Sequence, residues 1–536
     1  MKKVYKIALC ALCVIAMATS CVKDLDVENI NPQQVSTLQT DSLFNKIYSA
    51  FALTGQIGPS DNGDLADIDE GFSDYFRMLF YANELTSDEA SWIWISDPGI
   101  SDLQHNTYGS DNSIIIGLYY RIYFTITLCN YYLDQVAADG TEETAARRAE
   151  VRFIRAFCYY NVMDLFANAS FTETVSSEPG QRYTRAEYFN YVESELLAIE
   201  SDLKDPGEND YGRIDVVADW LLLSRLYLNA EVYTGTAQWQ NAKTYAENVL
   251  KNGYYELCPS GATSSTGEKF SAYQMLFLAD NNSSAARKEI IYPVMLDGVK
   301  TTSYGATNFL LKATYSSDMS ATVPSGTNDS WGKCLRVKGS LIDIFADEDL
   351  DNIDNVAAMT SLCGDDRALF YSSGFSRYIL DETDSKQGYS CVKFRNVTST
   401  GAATSSNDYV DTDLPLMRMA EAYLTYAEAD TRLHNGEPTK DAADMINVLR
   451  ERANAETQQI YYLEDILNEW AKEFWFEGRR RMDLVRFGLY GGSNSYTWEW
   501  KGGVADGTAF GSFRNIFALP VNELENNPNL IQNTGY

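Results

Sequence analysis

Apolar residues three and four apart recur through this chain, and that spacing leaves little for it to form besides stacked amphipathic helices. Residues 145–169 (AARRAEVRFIRAFCYYNVMDLFANA) place Val151, Ile154, Cys158, Val162 and Leu165 on one stripe, with Arg147, Arg148 and Glu150 away from it. A second helix is predicted over 218–233, followed across a short turn by a third over 239–250 that ends near Gly253; the two form a helical hairpin. Residues 414–433 predict a helix stopped at Asn435-Gly436, and 439–455 another with Thr439 as N-cap candidate behind Pro438. Residues 462–487 carry Leu463, Ile466, Leu467, Trp470 and Phe474 on one face. Ala420, Ala422, Ala427 and Ala429 allow close helix approach, as in tetratricopeptide-type hairpins, but no strict repeat of about 34 residues accompanies them. The fold class is therefore mostly α, an irregular tetratricopeptide-like scaffold of helical hairpins with few short strands.

Between the helical blocks the composition changes. Residues 259–270, 315–332 and 396–408 are rich in Ser, Gly, Thr and Asn, and 389–394 has room for one short strand. Polar insertions into a helical scaffold gather on one side and form its ligand-binding face.

The N-terminus reads as an export label. Lys2, Lys3 and Lys6 precede an uncharged apolar run over 7–18, and Ala18, Thr19 and Ser20 lead to Cys21. Residues 1–20 are expected to be a signal peptide, since the run falls short of the roughly 20 apolar residues a membrane span needs. A small-residue triplet ending on Cys is similar to a bacterial lipobox, which makes Cys21 the lipidated residue. Residues 21–36, polar, acidic and broken by Pro32, come next as a flexible tether, and 37–536 form the binding domain. Membrane contact would then run through the lipid anchor alone.

Charge and composition exclude several classes. With 75 Asp and Glu against 43 Lys and Arg, the net charge of −32 disfavours nucleic acid and anionic headgroups, both of which reward a basic face. Beyond the anchor Cys129, Cys158, Cys258, Cys334, Cys363 and Cys391 lie scattered, with no zinc or thioredoxin spacing, and read as small buried hydrophobes. Two histidines, His105 and His434, are poor material for a His-rich metal site or a Ser-His-Asp triad. Paired carboxylates are the minimal glycosidase machinery, but 75 acidic residues guarantee such pairs, so their presence carries no weight. No nucleophile elbow or phosphate loop appears, so the residues themselves point to no catalytic chemistry.

Certain residues stand out against this background. Trp92-Ile93-Trp94 is flanked by Ser91 and Ser96-Asp97-Pro98, a loop or strand-edge context in which one ring belongs to the core and Trp94 to the surface. Trp331 sits inside a Gly/Asn/Ser loop. Asp411 and Asp413 alternate ahead of Pro415 and, on spacing alone, cap the helix predicted after them. Arg479-Arg480-Arg481 is expected to pair with carboxylates such as Glu473 and Glu477 rather than form a basic patch.

Several segments together resemble the SusD/RagB family of outer-membrane nutrient-binding lipoproteins. They are Cys21 with Asp24-Leu25-Asp26, residues 148–166 (RAEVRFIRAFCYYNVMDLF), 418–429 (RMAEAYLTYAEA), 469–488 (EWAKEFWFEGRRRMDLVRFG), and the ending from Leu519-Pro520 through Asn527-Pro528-Asn529. Asp69-Glu70-Gly71, Asn83-Glu84-Leu85, Trp92-Ile93-Trp94, 297–300 (DGVK) and 498–503 (WEWKGG) are similar to segments of the family's starch-binding member. That resemblance implies an arc of three aromatic side chains, Trp94, Tyr304 and Trp331, following the curve of a starch-like α-glucan, with Asp69 and Arg77 as polar partners. Asp97 stands where the family member has an Asn. It also implies a structural calcium ion held by Asp411, Asp413 and Asp280, although no cofactor is required for binding. The implied role is capture of starch and malto-oligosaccharides at the outer face of the outer membrane, then delivery to a TonB-dependent (SusC-like) transporter across a surface supplied by the helical hairpins. The alternatives are the same role with another glycan or a peptide, and a surface glycoside hydrolase. A glucose ring offers an apolar C–H face to an aromatic plane and a rim of hydroxyls to Asp and Arg, so the implied residue types suit the implied ligand.

Overall fold

The computed structural model describes residues 39–536 apart from Asp67 and Ser320. Cys21, the 1–20 signal peptide and the 21–36 tether lie outside them. The chain divides into residues 1–43 and 44–536, and the architecture is that of the second unit. Helices dominate it, and the described strands pair only two by two. Among the described residues no helix is long and apolar enough to cross a membrane.

The stripe predicted over 145–169 lies on the helix Glu142–Leu165, capped by the Thr141 side chain. Val151, Ile154, Cys158, Val162 and Leu165 are all buried. Each of the larger aliphatic side chains there contributes about 1.5–3 kcal/mol by leaving water. Glu150 departs from expectation: it too is buried, held by Tyr48, Asn209 and Arg213. This helix packs against Ser113–Gln135 on one side and Arg185–Ile199 on the other. The hairpin Val216–Leu228/Trp239–Leu250 comes next, and Trp239–Leu250 packs on Ala420–Leu433, which packs on Lys440–Arg452. Ala242 and Ala246 on one helix and Ala420, Ala422, Ala427 and Ala429 on its neighbour are buried, so backbones approach without large side chains between them.

Three predicted helices are shorter than their patterns suggested. The 218–233 helix breaks at Asn229 into Val216–Leu228 and Ala230–Thr234. Residues 414–418 form a strand, Leu414–Arg418, paired antiparallel with Ile290–Val294, and the helix starts only at Ala420. Pro415 has no N–H to give a helix and restricts the residue before it, which favours extended chain. Asp411 and Asp413 therefore cap no helix. The 462–487 pattern divides into Leu463–Phe474 and Arg480–Arg486, because Phe476 and Gly478 adopt positive φ of 61° and 79°.

That last break organises the interior. Its freed N–H groups point at two acids of a distant segment: Glu84 accepts from Arg479 N at 2.7 Å, and Glu89 from Phe476 N at 3.0 Å. Asn83 donates to Gly478 O at 2.9 Å and accepts from Arg481 Nε at 3.0 Å. Arg479, Arg480 and Arg481 do pair with carboxylates, but with Glu421 and Asp483, with Asp88, and with Asp164, not with Glu473 or Glu477. Glu473 and Glu477 are taken by Arg418, with Arg367 and Arg452 also on Glu473 and Lys393 on Glu477.

Burial raises Glu84 to about 7 and lifts its neighbour Glu89 as well, so the pair holds a proton that the unfolded chain releases near pH 4.5. A raised carboxyl contributes stability that is present below the unfolded value and lost as pH rises through the folded one. Glu84→Gln keeps the acceptor oxygen and removes the titration. It is expected to gain stability relative to wild type between pH 5 and 8, with up to about 1.4 kcal/mol per unit of pKa difference at stake, read from urea midpoints at the two pH values.

Candidate glycan-binding site

Two loop-rich segments meet beside the helical stack, one following the first described helix and the other inserted between Trp239–Leu250 and Ala420–Leu433. A short ribbon joins them: Ala90–Trp92 runs antiparallel to Leu335–Val337, with Trp92 opposite Leu335, and Ile93 N donates to Cys334 O at 2.8 Å. The strand ends there. The chain turns through Asp97 N to Trp94 O at 2.9 Å, so Trp94 leaves the sheet and is 45% exposed while Trp92 is fully buried.

The rings form a connected series. Trp94 meets Trp92 edge-on at 5.5 Å, Trp92 lies 6.0 Å from Phe309, and Phe309 lies 6.4 Å from Trp331. Trp331 and Tyr304 stand at 5.9 Å and 81°, and Tyr304 lies 6.4 Å from Tyr409 with planes only 29° apart. Trp331 and Tyr304 are half-buried. The structure thus joins Tyr304 to Trp331 directly and Trp94 to them through two core rings.

Asp74 fixes this geometry. Its Oδ1 accepts from Arg77 N at 2.8 Å and from Ala306 N at 3.0 Å, so one buried carboxylate holds the starts of the helices Tyr75–Phe80 and Ala306–Thr314. Burial raises its pKa, with the two N–H donors working against that. Arg77, on the first of these helices, is almost fully buried under the rings. It donates to Gly71 O at 2.6 Å, Tyr304 O at 3.2 Å and Tyr81 OH at 2.8 Å, and its guanidinium lies 5.0 Å from Trp331. Only Nη2 has no partner among the described residues. Arg77 therefore positions Tyr304 and Trp331, and the freedom expected of a surface hydroxyl-binding group is largely absent. Asp69 is exposed, its carbonyl accepts from Phe72 N at 3.1 Å, and its Oδ1 and the Tyr304 ring both crowd the open face of Gly71. Asp97 spends one oxygen on Trp92 Nε1 at 2.9 Å.

Gly305 makes the close approach possible. A Cβ there would fall 2.0 Å from Asp74 Cγ, although its backbone φ of −107° is ordinary. Gly305→Ala is expected to displace Tyr304, costing about 1–3 kcal/mol of stability and weakening glycan binding as much as Tyr304→Ala does, measured by thermal melts and by retardation in a glycan gel.

The implied calcium ligands do not converge as a set. Asp411 accepts from Gly298 N at 2.8 Å and Ser405 N at 2.6 Å, and Asp413 from Leu296 N at 2.7 Å, so these two straddle one turn. Asp280 faces elsewhere, with both oxygens on Ser399 at 2.8 and 2.6 Å. Asn282, not Asp280, borders the cavity beside Asp413, together with Tyr211. Asp413 Oδ2 is buried with the Tyr211 hydroxyl and the Asn282 amide close by, and burial raises the group to about 7. Among the described residues no group of three or more His, Cys, Asp or Glu could hold a metal ion. Most of these carboxylate oxygens face N–H and O–H groups, and that donor set does not fit the three-carboxylate site implied.

Residues 369–536 match the model of the SusD family, and residues 67–228 match one described as starch-binding associating with outer membrane. Along its whole length the chain is 37% identical to "Starch-binding protein SusD" of Bacteroides thetaiotaomicron, covering 99% of that protein. The chain belongs to the SusD family. It is 23% identical to "SusD-like protein P2" of Formosa agariphila, over 91% of this chain and 94% of that one. The fold matches a SusD superfamily protein from Parabacteroides distasonis with a TM-score of 0.66 at 20% identity, covering 94% of this chain and all of that one. Surface glycan-binding protein A from Bacteroides uniformis matches with 0.66 at 18%, covering 92% and 98%. Membership accounts for the scaffold. Within this SusD-family chain, sequence reasoning missed Asp74, Phe309 and Tyr409. Asp74 did carry a signal, since an Asp ahead of the apolar run YFRMLF is an N-cap pattern. Tyr409 and Phe309 carried none, because only long-range folding brings them to the rings.

Proposed function

We propose that this chain is a non-catalytic, lipid-anchored binding protein at the outer face of the outer membrane, which captures starch and malto-oligosaccharides and delivers them to a TonB-dependent transporter. The observation carrying this reading is the ring series from exposed Trp94 to the perpendicular Tyr304–Trp331 pair, in a chain 37% identical to a starch-binding relative. Rings offset along a shallow surface suit the bent, ribbon-like shape of an α-linked glucan, and Asp69 beside Tyr304 supplies an acceptor for sugar hydroxyls. A shallow site gives weak binding per chain, about −8 to −4 kcal/mol, or micromolar to millimolar, and many anchored copies on one surface offset that through avidity.

Affinity electrophoresis in amylopectin, xylan and dextran gels tests the cargo: retardation by amylopectin alone is expected. Retardation by xylan or dextran in its place would point to another glycan. Incubation with maltoheptaose and product analysis tests the absence of catalysis, and release of shorter sugars would overturn it. Anchoring through Cys21 predicts that Cys21→Ala shifts the protein from the membrane fraction to the soluble one.

A further inference from the structure

Beyond Tyr304 the ring series does not end. We propose that it continues onto Tyr409 and into the polar cleft next to it, forming an additional subsite for a neutral, hydroxyl-rich oligosaccharide, so that affinity rises with chain length. This deepens the glycan-binding reading and rests on it.

Three observations carry the inference. Tyr409 lies nearly parallel to Tyr304 and half-buried, the arrangement of a second platform beside the first rather than of a core contact. Two residues before it, Asn407 lines an open cleft of about 490 Å³ together with Ser325, Thr327, Asn328, Asp329 and Ser330, large enough for a hexose. Asn328 N donates to Asn407 O at 2.8 Å and its amide to Asp408 at 3.0 Å, which fastens this loop to the one bearing Tyr409. Lys312 links ring and cleft: its ammonium lies 5.4 Å from the Tyr409 centroid and 2.5 Å from Asp329 Oδ1.

The same residues set the ligand class. The cleft's carboxylate, Asp329, is already neutralised by Lys312, so no net charge is left to select an ion. Ser325, Thr327, Asn328 and Ser330 line the cleft with uncharged donors and acceptors. Sugar hydroxyls both donate and accept, so they pair with such groups without bringing charge.

The test is calorimetric titration of the full chain with maltotriose and maltoheptaose, comparing wild type with Tyr409→Ala and Asn407→Ala. Asn407 is exposed, so its replacement keeps the fold even if Tyr409→Ala does not. The heptaose-to-triose affinity ratio is expected to fall about tenfold in both variants, as for loss of one sugar contact. A ratio that stays at the wild-type value in both overturns the subsite. Malto-oligosaccharide binding that survives Trp94→Ala and Trp331→Ala unweakened, or that is absent from wild type, overturns the underlying reading instead, so the two failures are told apart.

Discussion

Glu473→Gln is expected to lower the stability of the chain by about 3–5 kcal/mol, the range for breaking a buried ion pair from one side. Glu473 is fully buried and faces three guanidinium groups: Arg418 at 2.6 Å, Arg367 at 3.3 Å, and Arg452. Burial alone would raise its pKa, but Arg452, Arg418 and Arg367 outweigh it and hold the carboxyl well below the usual range. Removing the charge leaves five cations, Arg367, Arg418, Arg452, Arg450 and Lys393, to four carboxylates, Glu289, Glu477, Asp365 and Glu469, with one positive charge in excess in a buried network. A depressed carboxyl contributes stability that is present above the unfolded value near 4.5 and lost as pH falls toward the folded one. The gap between wild type and Glu473→Gln should therefore be widest above about pH 5 and shrink in acid. Urea unfolding at pH 7 and pH 4 measures both. A destabilisation under about 1 kcal/mol, typical of an exposed pair, would mean that water reaches the network.

The consequence reaches the rings. Glu473 lies on Leu463–Phe474, just before the break at Phe476, and Phe476 packs edge-on against Phe80 at 5.4 Å. Phe80 packs in turn against Phe309 at 5.3 Å, and Phe309 supports Trp331. The helix from Tyr75 thus has Arg77 under the rings at one end and runs through a π turn, Tyr81–Leu85, into the acids that cap the break at the other. π turns recur at functional positions because the extra residue re-aims the side chains beyond it.

How far this was legible before folding depended on the range of the interaction. Local signals were sufficient for Trp239–Leu250, whose bounds follow from its periodicity, and for Thr439, whose side chain accepts from Ala442 N as an N-cap should. They failed where a partner far along the chain decides the conformation. Leu414–Arg418 carries a helical pattern but finds the strand Ile290–Val294, and Phe476 takes a left-handed conformation because Glu89 receives its N–H. The site shows the same division. Context separated exposed Trp94 from buried Trp92, and family resemblance indicated Tyr304 and Trp331, which lie in contact. Nothing local separates Tyr409 from the chain's 35 other tyrosines, and nothing local says that Asp74 closes on Ala306. Arg77 shows the limit of carrying a role across by motif, since its burial and backbone partners make it a group that positions Tyr304 and Trp331.

Trp331→Ala is expected to weaken binding of malto-oligosaccharides by about 2 kcal/mol, near thirtyfold, and Trp94→Ala by a smaller factor. The difference arises from their surroundings. Trp331 packs against Phe309 and Tyr304, and the Arg77 guanidinium lies 5.0 Å from its centroid, so its orientation is fixed before a sugar arrives. Among the described residues Trp94 has one ring neighbour, Trp92, and being more exposed it has more freedom to lose on binding, which subtracts from what its contact contributes. Stability should move the other way round from a core substitution: Trp92→Ala, at a fully buried ring, should lose about 3–5 kcal/mol, while Trp94→Ala should leave the melting temperature within a degree or so. Calorimetric titration with maltoheptaose alongside thermal melts separates the two effects. Equal affinity losses for Trp94→Ala and Trp331→Ala would show that preorganisation by Arg77 and Phe309 contributes nothing. Wild-type affinity in both would remove the ring series from the binding site altogether.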